Sequence, residues 1–121
     1  MADYAAEELQ EARDALSDAA VLRDGGTDKA MIDRLYYACF HAAQAVLYAK
    51  GVEPKSHRAV TSLFGQKVVL KGRASGADGR FLNELRDYRE QPDYDHDPIE
   101  ANIEELFERA EEFVADMEVL V

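Results

Sequence analysis

The dominant feature of this chain is a helical spacing of apolar residues that runs almost end to end and is interrupted at only a few glycines and prolines. Leu9, Ala12, Leu16, Ala19 and Ala20 recur at helical intervals and predict a first amphipathic helix over about 3–23. Gly25-Gly26 ends it, and Thr27 or Asp28 is placed to cap a second helix through Ile32, Leu35, Tyr36, Cys39, Ala43, Val46 and Leu47, stopping at Gly51. That stripe is wide, so this helix is expected to be the most buried element. Pro54 interrupts regular structure, and Ser56 is an N-cap candidate for a third helix bearing Val60, Leu63, Phe64 and Val68. Gly72, Gly76 and Gly79 predict a flexible connector over 72–79, with Asp78 capping a fourth helix that carries Phe81, Leu82, Leu85 and Tyr88. Pro92 kinks or ends that helix near Arg89. Asp97-Pro98-Ile99-Glu100 has the form of a helix start, a capping Asp, then Pro, then Glu, and predicts a fifth helix through Ile103, Leu106, Ala110, Phe113, Val114 and Met117. Nothing alternates with period two long enough for a strand. The expected fold is an all-α, antiparallel up-and-down bundle of about five helices.

Length and composition set bounds. A chain of 121 residues is expected to form one domain, 1–121, with one modest core. No apolar run approaches the roughly 20 residues of a membrane span. The acidic first residues are unlike a signal peptide, so a cytoplasmic domain that avoids the membrane is expected. Cys39 is the single cysteine, which excludes an internal disulfide and a cysteine-based zinc site. It lies on an apolar helical face, as a packed thiol would. No HExxH or ExxH occurs, and the acidic surroundings of His96 (Asp93, Asp95, Asp97) fall in a predicted turn. No metal or cofactor is therefore expected.

The charge is uneven. Against a whole-chain net of −11, residues 1–53 are net −5, residues 54–89 are net +5 and residues 90–121 are net −11. The basic third holds Lys55, Arg58, Lys67, Lys71, Arg73, Arg80, Arg86 and Arg89. Folded onto one face, it would meet an anion despite the acidic total. Only five of the 14 basic residues are lysines, and an acidic, lysine-poor surface fits a halophilic protein that stays dissolved in high salt.

One segment pairs groups suited to phosphodiester chemistry. Arg89 and His96 flank a helix end, with Tyr94 between them. A guanidinium grips phosphate with two parallel bonds, and an imidazole passes protons near neutral pH. Cleavage of RNA by its own 2′-hydroxyl needs little else. Arg86 and Arg58 are candidates for holding the backbone, with Lys55 and His57 as further phosphate contacts at the start of the third helix. The plainer alternative pairs Arg89 with Asp93 or Asp95 and leaves His96 in solvent. His41 is read as a core or interface histidine with a satisfied ring, and Tyr36, Tyr37, Tyr48 and Tyr88 as packing.

Arg34-Leu-Tyr-Tyr-Ala-Cys-Phe-His41-Ala-Ala-Gln-Ala-Val-Leu47, then Gly51-Val-Glu-Pro-Lys-Ser-His57 and Phe64, then Arg89-x-x-x-Asp93-Tyr94, resembles the HEPN family over roughly residues 5–118. It most resembles the short prokaryotic members found beside a minimal nucleotidyltransferase. The resemblance implies a helical bundle that forms a homodimer. In many members it implies a metal-independent endoribonuclease acting as the toxin of a toxin–antitoxin pair, with a nucleotidyltransferase as antitoxin. The active motif it implies is Arg, four to six residues, then His, which Arg89 and His96 meet at the upper limit. Toxin members commonly read Arg-x4-His-x-Tyr, whereas here Tyr94 precedes His96. Tyr94 is thereby the candidate for a site tyrosine or one modified by the antitoxin. The alternative implied by the resemblance is a non-catalytic module that binds a nucleotidyltransferase partner, a nucleotide or RNA.

Overall fold

The computed structural model describes residues 3–90 and 102–121. Five α-helices follow in order, α1 Tyr4–Gly25, α2 Asp28–Ala49, α3 His57–Phe64, α4 Gly76–Glu90 and α5 Ile103–Leu120. There is no strand among the described residues. Each start has a local chemical cause. The side chains of Asp3, Thr27, Ser56 and Asn102 accept from backbone N–H groups three residues on, satisfying donors that a helix start otherwise leaves bare.

The α2 helix is the axis of the domain. It runs 22 residues without Gly or Pro and packs against all four other helices. Twelve of its residues are buried, including Ile32, Leu35, Ala38, Cys39, Ala42 and Leu47. Against it α1 presents Ala5, Leu9, Ala12, Ala15 and Ala19, a mostly alanine face that allows close approach. Cross-links between helices fix their directions. Glu8 meets His41 near one end of the α1–α2 pair, and Tyr4 meets Tyr48 beyond it. Arg13 bonds Glu118 while Arg23 reaches Glu104, so α5 runs antiparallel to α1. Arg109 bonds Glu84 and Phe113 meets Phe81, which sets α4 antiparallel to α5. Phe64, Phe81 and Phe113 close the core between α3, α4 and α5.

Three details depart from the sequence expectations. Gly76 and Gly79 belong to α4 and not to a connector. The cap is Ser75: its Oγ accepts from Asp78 N, and Asp78 Oδ2 accepts from Ser75 N, a reciprocal box in which Asp78 is the inner partner. Gly79 lies within α4, where an added Cβ would make only an ordinary contact with Val69 Cγ2 at 3.4 Å. Second, α3 continues into a π-helical turn, Gly65–Val69, closed by Leu70 N on Gly65 O, which brings Val68 into the core. Third, α5 opens at Ile103 and its cap is Asn102, whose backbone is extended. The proposed start at Asp97 itself lies outside the described residues.

Candidate functional site

Asp33 and Tyr37 stand one turn apart on α2 and therefore share a face. The last turn of α4 crosses that face and delivers Arg89. Its Nε donates to Asp33 Oδ1 at 2.8 Å, and its Nη2 donates to the Tyr37 hydroxyl at 2.9 Å. The guanidinium also lies 4.9 Å from the Tyr37 ring centroid and 5.2 Å from that of Tyr36. Arg34 completes the arrangement, with Nη2 2.9 Å from Asp33 Oδ2 and its guanidinium 4.9 Å from the Tyr37 ring. One carboxylate thus bridges two guanidiniums, and one phenol ring receives both.

The electrostatics follow from this geometry. Burial opposes ionisation of Asp33, but the hydrogen bonds and charges of Arg34 and Arg89 prevail and hold its carboxyl below the ordinary value. The same bond from Asp33 raises Arg89 still further, so its charge is permanent. Burial raises the Tyr36 phenol against the opposing pull of Arg89, so it stays neutral. Arg89 Nη1 has no hydrogen-bond partner among the described residues.

Beside this assembly opens a cleft of about 540 Å³ lined by Tyr36 from α2, His57 and Arg58 from α3, and Arg86, Arg89 and Glu90 from α4. Four of the residues singled out by sequence, His57, Arg58, Arg86 and Arg89, therefore meet at one place although they come from two different helices. Among the described residues three guanidiniums line it against one carboxylate, Glu90. Arg86 has, among the described residues, only a long contact to Asp87, at 3.8 Å. Lys55 does not join this cleft; it lines a neighbouring groove with His41, Gln44 and His57. His41 Nδ1 lies 2.5 Å from Glu8 Oε2, so its ring is bonded, as expected of a packed histidine. Tyr94 and His96, with Asp93 and Asp95, lie outside the described residues; the carboxylate that holds Arg89 among those described is Asp33. Cys39 is fully buried, and burial pushes its thiol far above the ordinary range, where no thiolate forms.

Asp33, Arg34 and Tyr37 were absent from the sequence-based site. The available signal was a charged pair, Asp33-Arg34, on the most apolar helix, with a tyrosine hydroxyl one turn beyond.

The HEPN domain family model matches residues 5–120. The chain belongs to the HEPN family. A Thermotoga maritima "UPF0332 protein" is 30% identical to this HEPN chain over 112 residues, covering 91% of it and 85% of the relative. A Methanocaldococcus jannaschii protein named "Putative toxin MJ0605" is 34% identical over 107 residues, covering 88% of the chain and 80% of the relative. A second protein of that organism, "Putative toxin MJ0142", is 31% identical over 64 residues. The all-α bundle described above is the expected HEPN architecture. Among the described residues no helix is long and apolar enough to cross a membrane.

Proposed function

We propose that this HEPN protein is a metal-independent endoribonuclease serving as the toxin of a toxin–antitoxin pair, with a nucleotidyltransferase as antitoxin. One observation supports this above the others: His57, Arg58, Arg86 and Arg89, drawn from two helices, converge on a single cleft in an otherwise acidic protein. Such a cleft suits a phosphodiester. The names of the M. jannaschii relatives agree with a toxin role.

In this reading Arg89 holds the scissile phosphate through the guanidinium edge left by Asp33 and Tyr37. It stabilises the charge that grows on the phosphoryl oxygens. His96 takes the proton from the 2′-hydroxyl or gives one to the departing 5′-oxygen, and water carries the other transfer. The P–O5′ bond breaks as the O2′–P bond forms, leaving a 2′,3′-cyclic phosphate and a free 5′-hydroxyl. Arg58 and Arg86 bind the flanking backbone. The working species is a homodimer in the cytoplasm, with both clefts facing the same RNA, and Tyr94 is the tyrosine open to modification.

The test is incubation of purified protein with labelled RNA and a chelator, beside Arg89→Ala and His96→Ala, at moderate and high salt. Cleavage that leaves cyclic-phosphate ends and disappears in both variants supports the nuclease. The bond between Arg89 and Asp33 favours a second reading, a non-catalytic module that binds a nucleotidyltransferase, a nucleotide or RNA. No cleavage by the folded parent, with binding retained in His96→Ala, would decide for that module.

A further inference from the structure

Adjoining the arginine cleft at His57 is a groove of about 330 Å³, lined by Phe40, His41, Gln44, Lys55 and His57 among others. His57 belongs to both spaces, and its exposed ring stands 4.4 Å from that of the buried Phe40. The polar groups in the groove differ in kind from those in the cleft. Gln44 Nε2 donates to the Tyr48 hydroxyl at 2.9 Å, which fixes the amide and leaves its carbonyl and second N–H without partners among the described residues. His41 is fixed in the same way by Glu8 on Nδ1, leaving its other ring nitrogen. Glu8 behind His41 disfavours a phosphate here, and Lys55 is the one formal charge among these lining residues.

The exposed His57 ring beside an oriented amide and a second, oriented imidazole is chemistry that suits a flat heterocycle with donors and acceptors on its edge. We propose that this groove seats one base of a single-stranded RNA whose adjacent phosphate occupies the arginine cleft, with Gln44 reading the base edge and His57 dividing base from phosphate. The inference rests on the RNA-binding part of the function proposed above and adds a specificity-determining residue to it. Single-stranded RNA is commonly read this way, by stacking on aromatic or histidine rings and bonding to base edges.

The experiment uses the full chain and fluorescently labelled 2′-O-methyl oligoribonucleotides, which lack the attacking hydroxyl. Probes of uridine, adenosine and cytidine are compared with an abasic backbone of equal length by anisotropy. The wild type is expected to prefer at least one base over the abasic probe by roughly tenfold, the scale of one stacked base. Gln44→Ala is expected to compress the differences between bases by about three- to tenfold, the measure of one neutral hydrogen bond, with abasic affinity unchanged. Gln44→Glu, which can only accept, is expected to change the preferred base. Arg89→Ala should weaken every probe, abasic included. A wild type that binds abasic and base-bearing probes equally overturns the proposal, as does an unaltered base preference in a folded Gln44→Ala. In either case loss on Arg89→Ala leaves the phosphate cleft standing. No binding of any probe overturns both readings.

Discussion

Arg89 Nε and Asp33 Oδ1 stand 2.8 Å apart although 56 positions separate the residues, so the end of α4 is joined to the first turns of α2 through the group that lines the cleft. The carboxylate that holds Arg89 also holds Arg34 through its other oxygen. A guanidinium tied in this way has little freedom, which favours binding of a phosphate in one orientation. The same tie places part of the fold's stability under pH control.

Asp33→Asn tests that stability. The folded-state pKa of Asp33 is depressed, so its contribution is full above the unfolded value near 3.9 and is lost as pH falls through the lower folded value. Both side chains are about one-third exposed, at 32% and 37%, so the neutral-pH loss is expected to be about 0.5–1 kcal/mol. Urea unfolding of both proteins should show that gap near pH 7 and its narrowing below about pH 4. A gap that widens in acid would refute the assignment.

Arg89→Lys separates charge from shape. An ammonium keeps the positive charge but cannot place one nitrogen on Asp33 Oδ1 and another on the Tyr37 hydroxyl while presenting a third outward. RNA affinity in Arg89→Lys is expected to fall nearly as far as in Arg89→Ala, by about tenfold or more, as for a charge-assisted bond. Tyr37→Phe, which keeps the ring and removes the acceptor, should fall between wild type and Arg89→Lys. Equal affinity of Arg89→Lys and wild type would show that only net charge matters.

Ser75→Ala tests the one helix start that the glycine pattern obscured. The Ser75–Asp78 box satisfies two N–H groups where α4 opens on Gly76-Ala77-Asp78-Gly79, a poor helix-forming sequence. Its loss is expected to cost about 1 kcal/mol and lower the thermal midpoint by several degrees. By contrast Leu70→Ala, at a side chain 80% exposed, should stay within about 0.5 kcal/mol.

These cases show where sequence reasoning reached and where it stopped. Thr27 and Ser56 could be read as caps because capping is local, and the side chains do accept from Ala30 N and Ala59 N. The α4 start could not, because two glycines suggest a loop until Ser75 and Asp78 are seen closing a box at its opening. In the cleft, the cationic residues stood out by charge. Asp33 and Tyr37 did not, since at helical spacing a tyrosine is indistinguishable from packing until a partner from another helix arrives. Asp33 reaches Arg89 by a tertiary crossing that proximity in sequence does not signal, while Asp93 and Asp95 lie outside the described residues.

Salt dependence follows from charge placement. The chain is net −11, and residues 90–121 alone account for that much negative charge while the basic residues concentrate in 54–89. Glu111 and Glu112 on α5 are exposed, with no ion pair among the described residues. Self-repulsion of this kind is relieved by screening, while the surface ion pairs, each worth little, lose correspondingly little. The thermal midpoint is therefore expected to rise steadily between roughly 0.1 M and about 1 M KCl, where the screening length falls from about 10 to about 3 Å. The double variant Glu111→Lys/Glu112→Lys should flatten that rise and be the more stable protein at low salt. RNA binding is expected to move the other way with salt in both proteins, because a phosphate in the arginine cleft releases counterions. A midpoint that stays level or falls with KCl would contradict adaptation to high salt, and a double variant as salt-sensitive as the parent would place the repulsion elsewhere than on this face of α5.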